Sequence, residues 1–187
     1  FIGLQTDEEI ILSNKNLAIF DFKNISVSNI IFRNCFGRLK SCPLNLNPIY
    51  RCIDNYIAGP QTDLRNINVT NWNFDNVSLS GSKMNGLFGK VNICPQDNYG
   101  YKCIDNYIIG QGSIIPNYNI LKGRDISNIN FENMEVQKVD FSRTKGKVFQ
   151  CFKNYESANL TKVYKCYKNY IFGPNIDISG RDLRNLH

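Results

Sequence analysis

Apolar residues recur at every fifth position, and that spacing excludes both common regular elements as the main building block. Thr62, Ile67, Trp72, Val77, Ser82 and Leu87 stand five apart. Two residues after each of the first five stand Leu64, Val69, Phe74, Leu79 and Met84, with mostly Asn, Asp, Ser, Thr, Gly, Arg and Lys between. The same two phases occur earlier, with Leu17, Phe22, Val27 and Phe32 on one and Phe20, Ile25 and Ile30 on the other. They return later in Leu121, Ile126, Phe131, Val136 and Phe141, and in Ile129, Met134 and Val139. Ile178 and Leu183 open a fourth run.

A helix buries residues at i, i+3, i+4 and i+7, and five residues advance it by about 500°, so a five-residue stripe would spiral around its surface. A strand has period two, so every fifth residue would swap faces from one repeat to the next. A chain that turns a corner every five residues does bury the pattern. Each short side sends two side chains inward, and successive layers pair their backbones at strand spacing, about 4.8 Å. Repeats of this kind bury a core only by stacking on one another.

On these residues the chain resembles the pentapeptide-repeat family, whose members form a right-handed four-sided β-helix. Asp63-Leu64, Asn73-Phe74, Asn130-Phe131 and Asp140-Phe141 fit the family's step into a central Leu or Phe. Leu121–Ile126 and Ile178–Leu183 are close copies of one repeat. The resemblance implies an all-β fold with a core of Leu17, Phe22, Val27, Phe32, Leu64, Val69, Phe74, Leu79, Met84, Ile126, Phe131, Val136, Phe141, Ile178 and Leu183. The chain departs from the family where Ile, Val, Phe or Trp72 replaces the small residue two before the centre, which predicts a wider or distorted interior there.

The quintet blocks, at 8–36, 60–88, 117–145 and 174–187, alternate with insertions at 37–59, 89–116 and 146–173. The insertions are themselves copies. Gly37–Cys42, Gly89–Cys94 and Gly146–Cys151 match, as do Tyr50–Gly59, Tyr101–Gly110 and Tyr164–Gly173. Phe1–Asp7 resembles the tail of such a copy. The chain thus opens and closes inside a superrepeat, and an unpaired repeat end exposes core and sheet edge. The expectation is one array whose ends are continued or capped. Tyr101–Ile109 and its copies are rich in β-branched and aromatic residues and predict a strand, half of a hairpin with the Val91–Cys94 segment. These insertions resemble those of bacterial and giant-DNA-virus members of the family.

Six of the seven cysteines bracket the insertions: Cys42 with Cys52, Cys94 with Cys103, Cys151 with Cys166. Three readings are open. Local disulfides would each clamp an insertion, in an oxidising compartment or in a particle whose assembly oxidises thiols. Free thiols would pack against the block. Metal binding would call for closely spaced Cys knuckles and His partners, and the chain has neither; its one histidine is His187. Cys35 falls on a core phase and reads as a buried thiol.

The net charge of +6 is modest and its residues are scattered, as on a solvated surface, and no apolar run is long enough for a membrane span. The 27 asparagines, with many Ile and Lys, read as an AT-rich genomic composition. Four glycosylation sequons, at Asn24, Asn68, Asn76 and Asn159, are the chance product of a polar-apolar-polar pattern. Trp72 is expected in the core, and the insertion tyrosines are expected to pack the strands onto the blocks. A histidine-assisted nucleophile and a Gly-rich phosphate loop are both missing, since Gly110-Gln111-Gly112 lacks a third glycine. The expected function is therefore non-enzymatic and without cofactor or metal. It is that of a minor capsid, cement or other scaffold protein of a virion, acting through contacts with other proteins. The alternatives are a binding module on a DNA-processing enzyme or nucleic acid, and an adhesion array outside the cell or on its surface.

Overall fold

The quintet is a turn pattern as much as a packing pattern. In the second block the amides of Trp72, Val77, Ser82 and Leu87 donate to the carbonyls of Val69, Phe74, Leu79 and Met84 at 2.8–3.0 Å. The third residue of each turn has positive φ: Asn71 64°, Asn76 58°, Gly81 70° and Gly86 74°. A positive φ at that position alone defines a type II turn, which selects Gly or Asn. A second asparagine position lies before each central residue. There the side chains of Asn68, Asn73, Asp125, Asn130 and Asp140 accept hydrogen bonds from the amides two residues on. The asparagine content is thus conformational: the corners need residues that tolerate left-handed backbone and cap their own turns.

The computed structural model describes residues 8–96, 100–136, 138–152 and 164–179. Its regular elements are β, with one 3-10 turn at Leu17–Ile19. The strands are β1 (Ile10–Ser13), β2 (Ser26–Val27), β3 (Ile30–Arg33), β4 (Asn45–Leu46), β5 (Arg51–Ile53), β6 (Tyr56–Ala58), β7 (Tyr101–Ile104), β8 (Tyr107–Gly110), β9 (Lys165–Tyr167) and β10 (Tyr170–Phe172). They form two-stranded sheets of two kinds. β1 pairs with β3 in parallel, Ile10 opposite Ile30, and β2 with β4 in parallel. The later strands pair antiparallel as hairpins, β5 with β6, β7 with β8 and β9 with β10.

Isolated parallel bridges extend the first kind: Asn16 with Phe36, Asp63 with Lys83, Asn68 with Phe88, Asn73 with Ile93, Asp125 with Lys145 and Asn130 with Gln150. Each of these pairs is 20 residues apart, four quintets. The register also crosses the insertions through the left-handed corners. The Asn34 amide donates to the Gln61 carbonyl at 2.7 Å, Gly86 to Gly112 at 2.7 Å and Arg143 to Asn175 at 2.5 Å, and all six residues have positive φ. The chain that leaves for an insertion therefore returns to pair with the segment it left.

Packing follows the two phases. Leu17, Phe22, Val27, Phe32, Leu64, Val69, Phe74, Leu79, Met84, Ile126, Phe131, Val136 and Phe141 are buried. Ile178 is the exception at 49% exposed. Leu183 lies outside the described residues. Trp72 is buried despite its size. Its ring contacts Tyr56 of β6, with centroids 5.8 Å apart, as well as Phe74 at 5.7 Å. A hairpin thus covers the indole on one side.

Candidate functional site

The three insertions are the elaborated parts of the molecule. Each hairpin turns on two residues, Asp54-Asn55, Asp105-Asn106 or Lys168-Asn169, all with φ between 46° and 66°. Two successive left-handed residues make the type I′ turn that matches strand twist and favours Asn and Asp. The hairpin therefore closes within the Tyr50–Gly59 signature and its copies. This corrects the expected pairing with Val91–Cys94: the Asp-Asn pair is the turn, and Ile93 bridges in parallel to Asn73 of the block instead.

The Gly37, Gly89 and Gly146 segments receive the hairpin tips. The amides of Leu39, Val91 and Val148 donate to the carbonyls of the second turn residues, Asn55, Asn106 and Asn169, at 2.7, 2.8 and 2.9 Å. The three glycines have φ of 94°, 109° and 102°, and a Cβ at each would overlap the side chain of Asn16, Asn68 or Ser127. Beside each tip lies a disulfide, Cys42–Cys52, Cys94–Cys103 or Cys151–Cys166, with Cα atoms 5.8, 5.9 and 5.6 Å apart. Of the three readings for the cysteines, the structure contains the local disulfides. Cys35 is a buried free thiol that donates to the Leu12 carbonyl at 3.1 Å, and burial pushes its pKa up. A thiol so placed is held in its unreactive form.

The first tyrosine of each hairpin signature enters the block as a polar plug. The Tyr50 hydroxyl accepts from the Phe32 amide and donates to the Phe32 carbonyl, both at 3.1 Å. The Tyr101 hydroxyl accepts from the Leu79 amide at 2.7 Å and donates to the Gln96 carbonyl at 2.6 Å. Tyr164 donates to Asp140 at 3.2 Å. At Phe32 and Leu79 a phenol thus pairs a backbone amide of the block, while the third tyrosine bonds a carboxylate. Sequence reasoning gave these tyrosines a packing role and missed the hydroxyl.

The first two hairpins also reach forward to the next block. Neighbouring residues of β6 point to opposite sides, so Ile57 joins the cluster of Phe32 and Tyr50 while Ala58 joins that of Leu64 and Phe74. In β8, Ile108 joins the cluster of Phe74 and Leu79, and Ile109 that of Ile126 and Phe131. Polar contacts follow the same direction. Asp54 accepts from the Trp72 indole, Asp105 pairs with Arg124, and Lys102 with Asp125. Each of these two hairpins is thus a clamp across two blocks, tied by its disulfide and by charge and apolar contact.

Among the described residues no three His, Cys, Asp or Glu side chains gather to hold a metal ion. No described helix is long and apolar enough to cross a membrane. The sequon residues Asn24 and Asn76 are exposed corners, Asn68 is held by Thr70 through its side-chain oxygen, and Asn159 and His187 lie outside the described residues. No family model matches the chain, and comparison with curated proteins and with solved structures gives no match.

Proposed function

We propose that this chain is a non-enzymatic structural protein. In this reading its blocks are a right-handed four-sided β-helix of the pentapeptide-repeat type, its hairpins are lateral contact modules, and it serves as a minor shell or cement component of a virus particle. The observation that supports the reading is the 20-residue parallel spacing of the blocks, with left-handed corners bonded across the three disulfide-clamped insertions at the longer separations Asn34–Gln61, Gly86–Gly112 and Arg143–Asn175. A backbone stacked in this way is a stiff rod, because each layer is hydrogen-bonded to the layers beside it. The modules project from it at repeated sites, which suits a part that touches several neighbours. The disulfides suit a particle that persists in oxidising surroundings. Mass spectrometry of purified particles from the source, with lysine cross-linking, tests the role. The protein should be present in fixed ratio to a major shell protein, with cross-links through hairpin lysines such as Lys102 and Lys165. Absence from the particles overturns it.

A further inference from the structure

The sequons are not equivalent in the folded chain. Asn24 and Asn76 are corner residues with φ of 59° and 58°, positions that call for asparagine whatever follows them. Asn76 also spends its side-chain nitrogen on Asp75 at 3.1 Å. Asn68 is exposed and is not one of the left-handed corners. Its side-chain oxygen accepts from the Thr70 hydroxyl at 2.6 Å and from the Thr70 amide at 3.0 Å. Gly89 closes against that oxygen and that hydroxyl, and a Cβ on it would lie 2.6 Å from each. The contacts of the side chain are therefore all on its oxygen, and its Nδ2 has no protein partner among the described residues.

An exposed aromatic residue stands beside it. Asn68 bridges in parallel to Phe88 of the neighbouring layer, so the two side chains leave the same side about 4.8 Å apart. Phe88 is 42% exposed. Ile114, whose amide donates to the Leu87 carbonyl at 3.0 Å, continues the column at 54% exposed. An apolar pair left open beside a free amide nitrogen suits a cover with one apolar and one polar face. A pyranose has both: its C–H face packs on apolar side chains and its hydroxyls stay in water.

We infer that Asn68 carries an N-linked oligosaccharide whose first sugar lies against Phe88. Asn68-Val69-Thr70 supplies the acceptor amide and the hydroxyl that the sequon requires. The co-reactant is a lipid-linked diphospho-oligosaccharide. A bond forms from Nδ2 to the anomeric carbon of the first sugar, and the bond from that carbon to the phosphate oxygen breaks. The lipid diphosphate leaves with the electron pair, the displaced amide proton passes to solvent, and nothing is oxidised or reduced. A secretory lumen that supplies such donors also forms disulfides, and the chain has three. The first block holds an internal control. Asn16 bridges to Phe36 in the same way, but Ala18 stands where Thr70 does, so Asn16 stays bare.

Protein purified from its source, treated with peptide N-glycosidase in heavy-oxygen water and digested with trypsin, tests this. Tandem mass spectrometry should read residue 68 as aspartate, heavier than the asparagine by about 3 Da, and Asn16 as unmodified. Expressed through a eukaryotic secretory pathway, Thr70→Ala should lose the sugar and Thr70→Ser should keep it. Enzymatic release of the sugar should lower the thermal midpoint of the wild-type protein, and lower it less in Phe88→Ser. An unmodified Asn68 in the source protein overturns the inference, as does modification of Asn24 or Asn76 in its place. Sugar retained at residue 68 in Thr70→Ala overturns it as well. Equal falls in midpoint for wild type and Phe88→Ser overturn the contact with the ring.

Discussion

The indole nitrogen of Trp72 donates to a carboxylate oxygen of Asp54 at 2.7 Å, joining the turn of the first hairpin to the core of the second block. Trp72 is the only tryptophan, so its fluorescence reports on this one junction. Asp54 does two jobs, since its φ of 48° also makes it the first residue of the type I′ turn. Asp54→Asn keeps the turn and a neutral acceptor and should cost well under 1 kcal/mol. Asp54→Ala loses both and should cost about 2 kcal/mol, because a buried indole N–H is left unpaired. Urea unfolding followed by tryptophan emission measures both.

The cysteine arithmetic gives a second test. Three disulfides and buried Cys35 account for all seven cysteines. Denatured, unreduced protein should titrate one thiol, and reduced protein seven. Replacing Cys151 and Cys166 together should lower stability by about 3 kcal/mol at most, the loop-closure value for a separation of 15 residues. A count of seven without reductant would remove the clamps from the account.

Which of these features could be read in the sequence depends on the range of the force behind them. Phe74, Phe131 and Phe141 were legible because burial repeats with the quintet, and the cysteine pairs because three copies bracket the same segment. The contacts of Trp72 with Asp54 and of Leu79 with Tyr101 were not, since they join residues 18 and 22 apart by side-chain reach and follow no period. The hairpin differs for another reason: Asp105-Asn106 is a two-residue turn signal, whereas the strand content of 101–109 alone is equally compatible with the more distant 91–94 segment as partner. Ile178 carries the core phase in sequence and is exposed in the structure, so phase alone does not fix burial.

Arg143 offers a test in the stabilising direction. A non-glycine side chain in left-handed backbone costs about 1 kcal/mol or more. Arg143→Gly should therefore raise the unfolding free energy by about 1 kcal/mol, offset in part by the greater freedom of the unfolded chain. Asn76→Ala, at a corner with φ of 58°, should do the opposite by a similar amount. A thermal melt of both variants beside wild type shows whether the corners set the energy of the quintet.

Acid should loosen the third block through two carboxylates. Asp125 is lowered to about 2: burial raises it, but the Ser127 hydroxyl and amide and the Lys102 ammonium outweigh burial. Asp140 is also lowered to about 2, by the Ser142 hydroxyl and amide and by Lys122, against a smaller upward effect of burial. The folded values lie below the ordinary aspartate value of 3.8, so the folded state favours the charged forms. Their stabilisation is complete above about pH 5 and is lost as pH falls from about 4 through 2. Urea midpoints should fall across that window, and the D125N/D140N double variant should flatten the fall.

The tyrosine plugs yield the sharpest prediction, because Tyr→Phe removes one oxygen and leaves the packing in place. Tyr101 is 1% exposed, and its hydroxyl accepts from the Leu79 amide at 2.7 Å. Tyr101→Phe leaves that buried amide and the Gln96 carbonyl short of a partner, which should cost about 2 kcal/mol. Hydrogen exchange should locate the damage: the Leu79 amide should lose protection while Trp72 and Val77, bonded within their own turns at 3.0 and 2.9 Å, keep theirs. Unchanged protection at Leu79 would mean that the hydroxyl is only a passenger on a packed ring.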